Sequence, residues 1–182
     1  MSLSFKRLPY MKDRVFRISH ICSLLGDRLD VTKDHRYTLN LAAQYHDIGL
    51  LAIPDALLMK AGPLTPEERA LVNEHCAIGG RLIAQALPDY PETIEAIWFH
   101  HENYDGSGPQ GVEGSCIPLH ACIIRLAEGV EAMANDRPYR KKMPLCDLEA
   151  EVVANSGKQF APTVVEGFRK IAQKAYKAAC AA

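Results

Sequence analysis

Apolar residues recur at every third or fourth position along most of this chain, and this spacing constrains the fold more than any other feature. In the first such segment Val15, Ile18, Cys22, Leu25 and Leu29 fall on one face of a helix. No segment shows the sustained alternation of apolar and polar residues that is typical of half-buried strands. The spacing therefore predicts an all-α fold. Further helices are predicted to begin near Tyr37, Thr65, Pro91, Pro118, Leu145 and Pro162.

The predicted helix ends carry local signals of their own. Thr65 is followed by a proline at the first helical position and by Glu68 three residues later, which is the pattern of a capping box. Residues 103–117 contain four glycines and a proline, so regular structure is not expected there. The last helix is expected to begin at Pro162 and to continue through the C-terminal sequence AQKAYKAACAA.

The composition is that of a globular protein and excludes several functions. The 182 residues are 48% apolar and suffice for one domain over residues 1–182. A formal net charge of −1 gives no overall attraction to a nucleic-acid polymer or a membrane. No apolar run approaches the length of a membrane span and the N-terminus lacks a signal-peptide pattern, so a cytoplasmic protein is expected. Six cysteines without a CxxC pair favour reduced thiols over a disulfide framework.

Residues of metal-ligand type lie on or beside the predicted helix ends. They are His46, Asp47, His75, His100, His101 and Glu128. Imidazole and carboxylate groups together suit first-row metals such as iron, manganese or zinc. A carboxylate has two oxygens, so Asp47 can bridge two ions, whereas a histidine serves one. These residues therefore form a candidate metal site.

Each of these residues also has an ordinary explanation when it is taken alone. A single histidine on an apolar face, such as His75, is usually a core residue, and a His-Asp pair occurs by chance. Their co-occurrence in one helical chain favours the metal site. Three other histidines are interpreted as non-ligands: His20, His35 and His120. Cys76 is expected to point away from a site at His75, because adjacent helix positions differ by about 100°.

Five blocks of the sequence carry a resemblance to a known family. They are HDIGLLAIPDALLMKAGPLTPEE, the histidine of NEHCAIGGRLI, FHHENYDGSG, IPLHACIIRLAEGVEAMANDRPYR and NSGKQFAPTVVEGF. Their order and spacing, over residues 14–172, resemble the HD-GYP family, a branch of the HD superfamily of metal-dependent phosphohydrolases. The resemblance implies an HD-domain helical bundle with a five-helix core plus additional helices. It also implies a centre of two or three metals, often iron, and hydrolysis of cyclic di-GMP.

Matched by position, the resemblance also implies roles for individual residues. His46 and Asp47 correspond to the family's HD ligands, with Asp47 as the bridge between metals. The histidines around the second metal correspond to His75, His100 and His101. Basic residues of DRPYR and its neighbour face the substrate phosphate: Arg137, Arg140 and Lys141. In this interpretation metals around Asp47 activate the attacking water, and these cations stabilise charge on the phosphate.

The chain departs from the family pattern around the first metal. Arg14 stands at the position of a histidine ligand, and Tyr10 at that of a glutamate that holds a third metal. Arginine donates hydrogen bonds and cannot bind a metal, so one or two ions are expected rather than three. Iron or manganese is favoured over zinc. Glu128 replaces an aspartate ligand, and Leu50 replaces a lysine that follows the HDxG motif.

The glycine-rich loop departs as well. Where the family has GSGYP, this chain reads GSGPQG, so that the tyrosine is missing while Pro109 is retained. Glu113 replaces a basic residue. A loop that is expected to contact a dianionic dinucleotide has thus lost a hydroxyl and gained a carboxylate.

Two main hypotheses for function remain open at this stage. The first is an active phosphodiesterase or phosphohydrolase that acts on cyclic di-GMP or a related nucleotide. The second is a catalytically weak, metal-binding regulatory module of cyclic-dinucleotide signalling. A metal-free helical interaction domain is the remaining alternative. The expected partner is a nucleotide or cyclic dinucleotide, with signalling domains or a second copy of the chain as further candidates.

Overall fold

The computed structural model describes residues 11–136 and 140–181. Within these ranges the regular structure is helical apart from isolated bridge residues, such as the pair Ser156 and Phe160, so the prediction of an all-α fold is confirmed. The α-helices are α1 (Met11–Arg28), α2 (Lys33–Tyr45), α3 (Asp55–Leu58), α4 (Pro66–Ala86), α5 (Pro91–Phe99), α6 (Leu119–Ala134), α7 (Leu145–Ala154), α8 (Pro162–Arg169) and α9 (Ala172–Ala179). Short 3-10 helices span Ile48–Ala52 and Gly114–Cys116.

Helix α6 is the centre of the fold. Twelve of its 16 residues are buried, and helices α1, α2, α5, α7, α8 and α9 all contact it. A helix that is buried on most sides is expected to be largely apolar, and α6 follows this rule with three exceptions, His120, Glu128 and Glu131. The side chains of Glu128 and Glu131 are only 5% and 1% exposed. Buried carboxylates require cations or hydrogen-bond donors, so α6 already marks a site of function or of internal ion pairing.

The start of α4 confirms the capping box predicted at Thr65. The backbone N–H of Glu68 donates to Thr65 Oγ1 at 3.2 Å, and the backbone N–H of Thr65 donates to Glu68 Oε2 at 2.8 Å. Pro66 occupies the first helical position. These contacts satisfy N–H groups that would otherwise lack partners, and they fix the direction in which α4 carries His75 to the site.

The prediction of one continuous helix from Pro162 to the C-terminus was wrong. Helix α8 ends at Arg169 and α9 begins at Ala172. Lys170 N–H donates to Gly167 O and Ile171 N–H to Phe168 O, a tighter three-residue spacing that closes the first helix. The break changes the direction of the chain, so that apolar faces of both short helices are buried in the same core.

None of the described helices is both long and apolar enough to cross a membrane.

Candidate metal centre

The six predicted ligands come from four parts of the fold that meet beside α6. His46 directly follows α2, and Asp47 precedes the first 3-10 helix. His75 lies in the middle of α4, whereas His100 and His101 follow α5. Glu128 projects from α6. The structure brings these residues into two adjoining groups, although they are up to 82 positions apart in the sequence.

Gly49 allows the Asp47 turn to approach α4 closely. A Cβ atom at this position would lie 2.0 Å from the carbonyl oxygen of His75 and 2.8 Å from the backbone nitrogen of Gly79. Both contacts are with backbone, which cannot turn aside as a side chain can. Glycine is therefore required where the 3-10 helix packs on α4, and this packing sets the distance between Asp47 and His75.

Three histidines share the same orienting contact. Nδ1 of His46, His75 and His100 lies 2.8, 2.6 and 2.7 Å from the carbonyl oxygen of the residue three positions earlier. A ring that donates Nδ1–H to a carbonyl presents Nε2 to the space on its other side. Metal-binding histidines commonly have such a second contact, which fixes the ring and its tautomer. These contacts could not be predicted from the sequence, and they orient the three rings toward a common interior.

The second ligand group consists of His75, Cys76, His100 and His101, together with Asp47 Oδ1. His75 Nε2 lies 3.2 Å from His100 Nε2 and 3.4 Å from Asp47 Oδ1. Two ligand atoms that are each about 2.0–2.1 Å from one ion lie about 2.9–3.4 Å apart at ordinary bond angles. The observed separations match this range, so the second ligand group fits a divalent ion.

The expectation that Cys76 points away from the site was wrong. Its Sγ atom lies 3.6 Å from His75 Nε2 and 4.0 Å from His100 Nε2. The rotation between adjacent helix positions separates the Cβ atoms, but the His75 ring turns toward the carbonyl of Val72 and its Nε2 comes back near the thiol. A sulfur at about 2.3 Å and a nitrogen at about 2.1 Å from one ion are about 3.6 Å apart in a tetrahedral site. Cys76 is thus a ligand candidate.

The first ligand group consists of His46, Asp47 and Glu128. His46 Nε2 lies 3.2 Å from Asp47 Oδ2 and 3.6 Å from Glu128 Oε1. His46 Nε2 and Glu128 Oε2 are buried without a hydrogen-bond partner, which by itself would suit a cation. However, the guanidinium of Arg14 already binds both carboxylates: Nη1 donates to Asp47 Oδ2, and Nη2 donates to Glu128 Oε1 at 2.5 Å. The first ligand group therefore already contains a positive charge. For this reason it fits a metal ion less well than the second ligand group does.

The ionisation of the site follows from its crowding. Burial opposes the ionisation of Asp47, but the charges of His46 and Arg14 outweigh this effect and hold the pKa of Asp47 well below its usual range. Burial likewise opposes the ionisation of Glu128, but His101 and Arg14 lower its pKa to about 2. Burial and the neighbouring His100 hold the pKa of His101 well below its ordinary value. At neutral pH the two carboxylates are therefore charged and His101 is neutral, as ligands must be.

The pKa values of His75 and Cys76 are shifted in opposite directions by their neighbours and by each other. Burial lowers the pKa of His75, but hydrogen bonds to Asp47 and Cys76 outweigh it and raise the pKa to about 11. Burial raises the pKa of Cys76, but the charge and hydrogen bonds of His100 and His75 lower it to about 6. The hydrogen bonds to Asp47 and Cys76 thus favour a proton on His75. An ion that binds there takes the place of this proton.

A pocket of about 640 Å³ opens beside the ligand groups. Its lining includes His101 and Glu128, and also the cationic side chains of Arg125, Arg140 and Lys141. This volume is within the usual range for small-molecule sites, which is about 300–1,000 Å³. Arg140 Nη2 donates to the carbonyl of Ala132 at 2.7 Å. Two of the three cations predicted to face the substrate therefore line the pocket.

The other two basic residues of interest are Arg137 and Arg125. Arg137, predicted to face the phosphate, lies outside the described residues. Arg125 was missed by the sequence interpretation, although it lies one helical turn before Glu128 and so shares its face of α6. Its Nη2 donates to Asn103 Oδ1 at 2.8 Å, and its Nε is buried without a hydrogen-bond partner. The spacing to Glu128 was the signal that could have identified it.

The glycine-rich segment 103–117 is irregular apart from its short 3-10 helix, as predicted. It folds back onto Glu102, whose carboxylate accepts hydrogen bonds from the backbone N–H groups of Gln110 and Val112, both at 2.9 Å. Gly108 lies so close that a Cβ atom there would be 2.6 Å from the Cα of Glu102. Glu102 thus holds the loop in place, although the loop lacks the family's tyrosine.

Comparison with known proteins identifies the family. The HD domain profile matches residues 1–164, so the chain belongs to the HD domain family, and the predicted resemblance is confirmed. The family binds divalent metals, and the two ligand groups are the candidate positions for them in the described residues.

Curated relatives extend this assignment. The chain is 34% identical to a cyclic di-GMP phosphodiesterase of Thermotoga maritima over 157 residues, which cover 85% of this chain and 43% of that protein. It is 30% identical to 3'3'-cGAMP-specific phosphodiesterase 2 of Vibrio cholerae over 154 residues, which cover 82% of this chain and 28% of the relative. The chain thus spans less than half the length of these relatives.

Solved structures share the fold at low sequence identity. A cyclic GMP-AMP specific phosphodiesterase of Vibrio cholerae superposes with a TM-score of 0.71 at 17% identity, over 92% of this chain and 46% of that one. An HDG"Y"P protein of Bdellovibrio bacteriovorus has a TM-score of 0.65 at 20% identity, over 87% of this chain and 52% of that one. These similarities support the HD-domain bundle predicted from the sequence.

Proposed function

We propose that this chain is a metal-dependent phosphodiesterase that hydrolyses a cyclic dinucleotide. The observation that carries the proposal is the position of the pocket, where His101 and Glu128 lie in the same lining as Arg125, Arg140 and Lys141. His101 of the second ligand group and the phosphate-binding groups therefore face one space. A cyclic dinucleotide would bring two phosphodiester groups to it, each with one negative charge. Two relatives, a cyclic di-GMP phosphodiesterase and a 3'3'-cGAMP-specific phosphodiesterase, support the same substrate class.

The second ligand group would hold the ion, with Asp47 Oδ1 and the Nε2 atoms of His75 and His100 as its main ligands. A divalent ion in this position supplies Lewis-acid chemistry, because it lowers the pKa of bound water and polarises a phosphoryl oxygen. Imidazole and carboxylate suit iron and manganese, and the thiol of Cys76 favours iron between the two. The choice of these metals over zinc rests on the family resemblance.

The side chains around the pocket would orient the phosphate. Arg125 contributes most to this role, because Asn103 holds its guanidinium and because it is only partly exposed. Partial burial strengthens its charge interactions, whereas Lys141 is 92% exposed and is screened by water. Arg140 is fixed at the pocket edge through Ala132. We therefore assign Arg125 the main contact with the phosphate, and Arg140 and Lys141 supporting contacts.

A second candidate function is a metal-binding regulatory module with little turnover. The observation that favours it is the guanidinium of Arg14 in the first ligand group, since that charge competes with a metal at the same carboxylates. Such a module would still bind a cyclic dinucleotide in the cationic pocket. The two functions differ in hydrolysis and not in binding.

The test is a turnover assay of the purified 182-residue chain, loaded with ferrous iron or manganese, against cyclic di-GMP, 3'3'-cGAMP and bis(p-nitrophenyl) phosphate. We expect hydrolysis of a cyclic dinucleotide that is lost when the metal is removed. Arg125→Met should lower kcat/KM by about 5- to 150-fold, the equivalent of one charge-assisted contact of about 1–3 kcal/mol. Lys177→Met, which changes an exposed cation outside the pocket lining, is the matched control.

The contradicting result is equally specific. A metal-loaded chain that binds cyclic di-GMP but hydrolyses none of the three compounds would refute the enzyme and support the regulatory module. Equal kcat/KM values for Arg125→Met and Lys177→Met would refute the assigned role of Arg125.

A further inference from the structure

Arg14 is the residue at which this chain departs most from a two-metal site. It projects from α1 into the space between Asp47 and Glu128, and its side chain is only 19% exposed. Its Nη1 and Nη2 atoms donate to Asp47 Oδ2 and Glu128 Oε1, and its Nε lies 3.7 Å from Glu131 Oε2. One guanidinium therefore contacts three carboxylates that come from two separate segments of the chain.

The oxygens that Arg14 binds are those that face His46. His46 Nε2 lies 3.2 Å from Asp47 Oδ2 and 3.6 Å from Glu128 Oε1, so these three atoms are the ligand set of the first group. Arginine is always protonated and has no lone pair to offer a metal. The position thus contains a fixed positive charge that satisfies the same oxygens an ion would need.

The net charge of the surrounding side chains argues against ions in both the first and the second ligand group. Arg14 and Arg17 face the carboxylates of Asp47, Glu128 and Glu131, which leaves a net charge of −1 among these five side chains. One divalent ion would change this to +1, whereas two would give +3 in a largely buried volume. Like charges at such distances repel strongly when little water screens them. An additional ion in the first ligand group would also lie against the guanidinium of Arg14, which already binds the carboxylate oxygens that such an ion would need.

The second ligand group is free of this conflict. Arg14 donates to Oδ2 of Asp47, whereas Oδ1 of the same carboxylate lies 3.4 Å from His75 Nε2. The two oxygens of Asp47 therefore serve different cations. From this division we infer that the Arg14 guanidinium replaces the first metal ion, and that the chain binds one divalent ion in the second ligand group. The inference rests on the metal site of the proposed function and not on turnover.

Metal content and magnetic state test the inference without any activity measurement. The purified chain is loaded with manganese, desalted and analysed for metal per chain by mass spectrometry, and its electron paramagnetic resonance spectrum is recorded. We expect one ion per chain and an uncoupled spectrum. Arg14→His supplies an imidazole in place of the guanidinium, and it should raise the content to two ions with a spin-coupled spectrum.

Two variants serve as controls. Arg14→Lys keeps the positive charge and should remain at one ion. Arg17→His introduces the same imidazole on α1, one turn away, where Arg17 contacts Glu131, and it should also remain at one ion.

Each outcome bears on the inference. Two ions in the unmodified chain would overturn it, and this measurement stands even if a variant does not fold. One ion in the unmodified chain together with one ion in a folded Arg14→His variant would also overturn it. No ion in the unmodified chain but one in Arg14→His would support the exclusion by Arg14 while refuting the metal site of the proposed function. No ion in either protein would refute both.

Discussion

Replacing Gly49 with alanine should separate Asp47 from His75 and weaken metal binding. The new Cβ atom would lie 2.0 Å from the carbonyl oxygen of His75, whereas a close carbon–oxygen contact needs about 3.3 Å. The turn must therefore move by about 1.3 Å. A shift in that direction would widen the separation of Asp47 Oδ1 and His75 Nε2, now 3.4 Å, by up to about 1.3 Å, to at most about 4.7 Å, beyond the roughly 3.4 Å expected for two ligands of one ion.

The size of both effects follows from this displacement. Overpacking costs about 1–3 kcal/mol, and two backbone contacts place Gly49→Ala near the upper end. For a chain of this length each kcal/mol lowers Tm by about 2–4 °C, so a cost of about 3 kcal/mol gives a decrease of about 6–12 °C. Metal affinity should fall by at least about 10- to 100-fold, the loss seen when even an outer contact of a metal ligand is removed.

The assay is a pair of measurements on metal-free and manganese-titrated protein: thermal unfolding followed by circular dichroism, and metal affinity by calorimetry. Gly62→Ala is the matched control, because a Cβ atom there has no neighbour within 4 Å. It should change the free energy of unfolding by no more than about 0.5 kcal/mol and leave the affinity unchanged. If Gly49→Ala had the same Tm and metal affinity as Gly62→Ala, the close approach would not set the ligand geometry.

Three further predictions concern individual groups of the site. Cys76→Ser should remove the sulfur-to-metal charge-transfer absorption of the cobalt-loaded protein, whereas Cys116→Ser, an exposed thiol, should leave it; retention in both would show that no sulfur binds. His75→Ala should lower metal content while His20→Ala, an exposed position, should not, and equal losses would contradict the assigned ligands. The pKa of Glu128 is lowered to about 2 from an ordinary 4.5. The contribution of its ionised carboxylate to the free energy of unfolding is therefore complete above about pH 4.5 and is lost as the pH falls toward 2. That loss is on the order of 3 kcal/mol. In urea unfolding, the free energy of unfolding should decrease less between about pH 5 and pH 3 for Glu128→Gln than for the unmodified chain. Equal decreases in the two proteins would refute the shift.

Much of the fold follows from local patterns in the sequence. The spacing of Val15, Ile18 and Cys22 defined the buried face of α1, and Thr65 marked the start of α4, because helix periodicity and capping depend on residues within one or two turns. The glycine-rich segment 103–117 was correctly predicted to be irregular for the same reason. The assignment of one domain over residues 1–182 stays a prediction.

The C-terminal break could not be predicted because it depends on distant packing. The sequence after Pro162 contains good helix formers, and its local propensity favours one long helix. In the structure, Phe168 and Ala175 are both fully buried against helices that are distant in the sequence. Tertiary packing therefore overrides local propensity at Lys170 and Ile171.

The site also combines features that local sequence predicts with features that depend on distant packing. His46, Asp47 and Glu128 were predicted as ligands from residue type and family pattern, and the structure brings the three side chains together. The position of Cys76 was missed, because it depends on how the ring of a neighbouring histidine turns. The ion pairs of Arg14 join residues 33 and 114 positions apart, and sequence spacing alone cannot place such partners together.

The central claim is that a divalent ion is held by His75, His100 and Asp47. An anomalous-scattering map of crystals of the chain, recorded at the absorption edge of the bound metal, tests it most directly. We expect one strong peak within about 2.0–2.3 Å of His75 Nε2 and His100 Nε2, with none between His46 and Glu128. A metal-loaded crystal with no peak at the second ligand group, or with its peak beside His46, would contradict the claim.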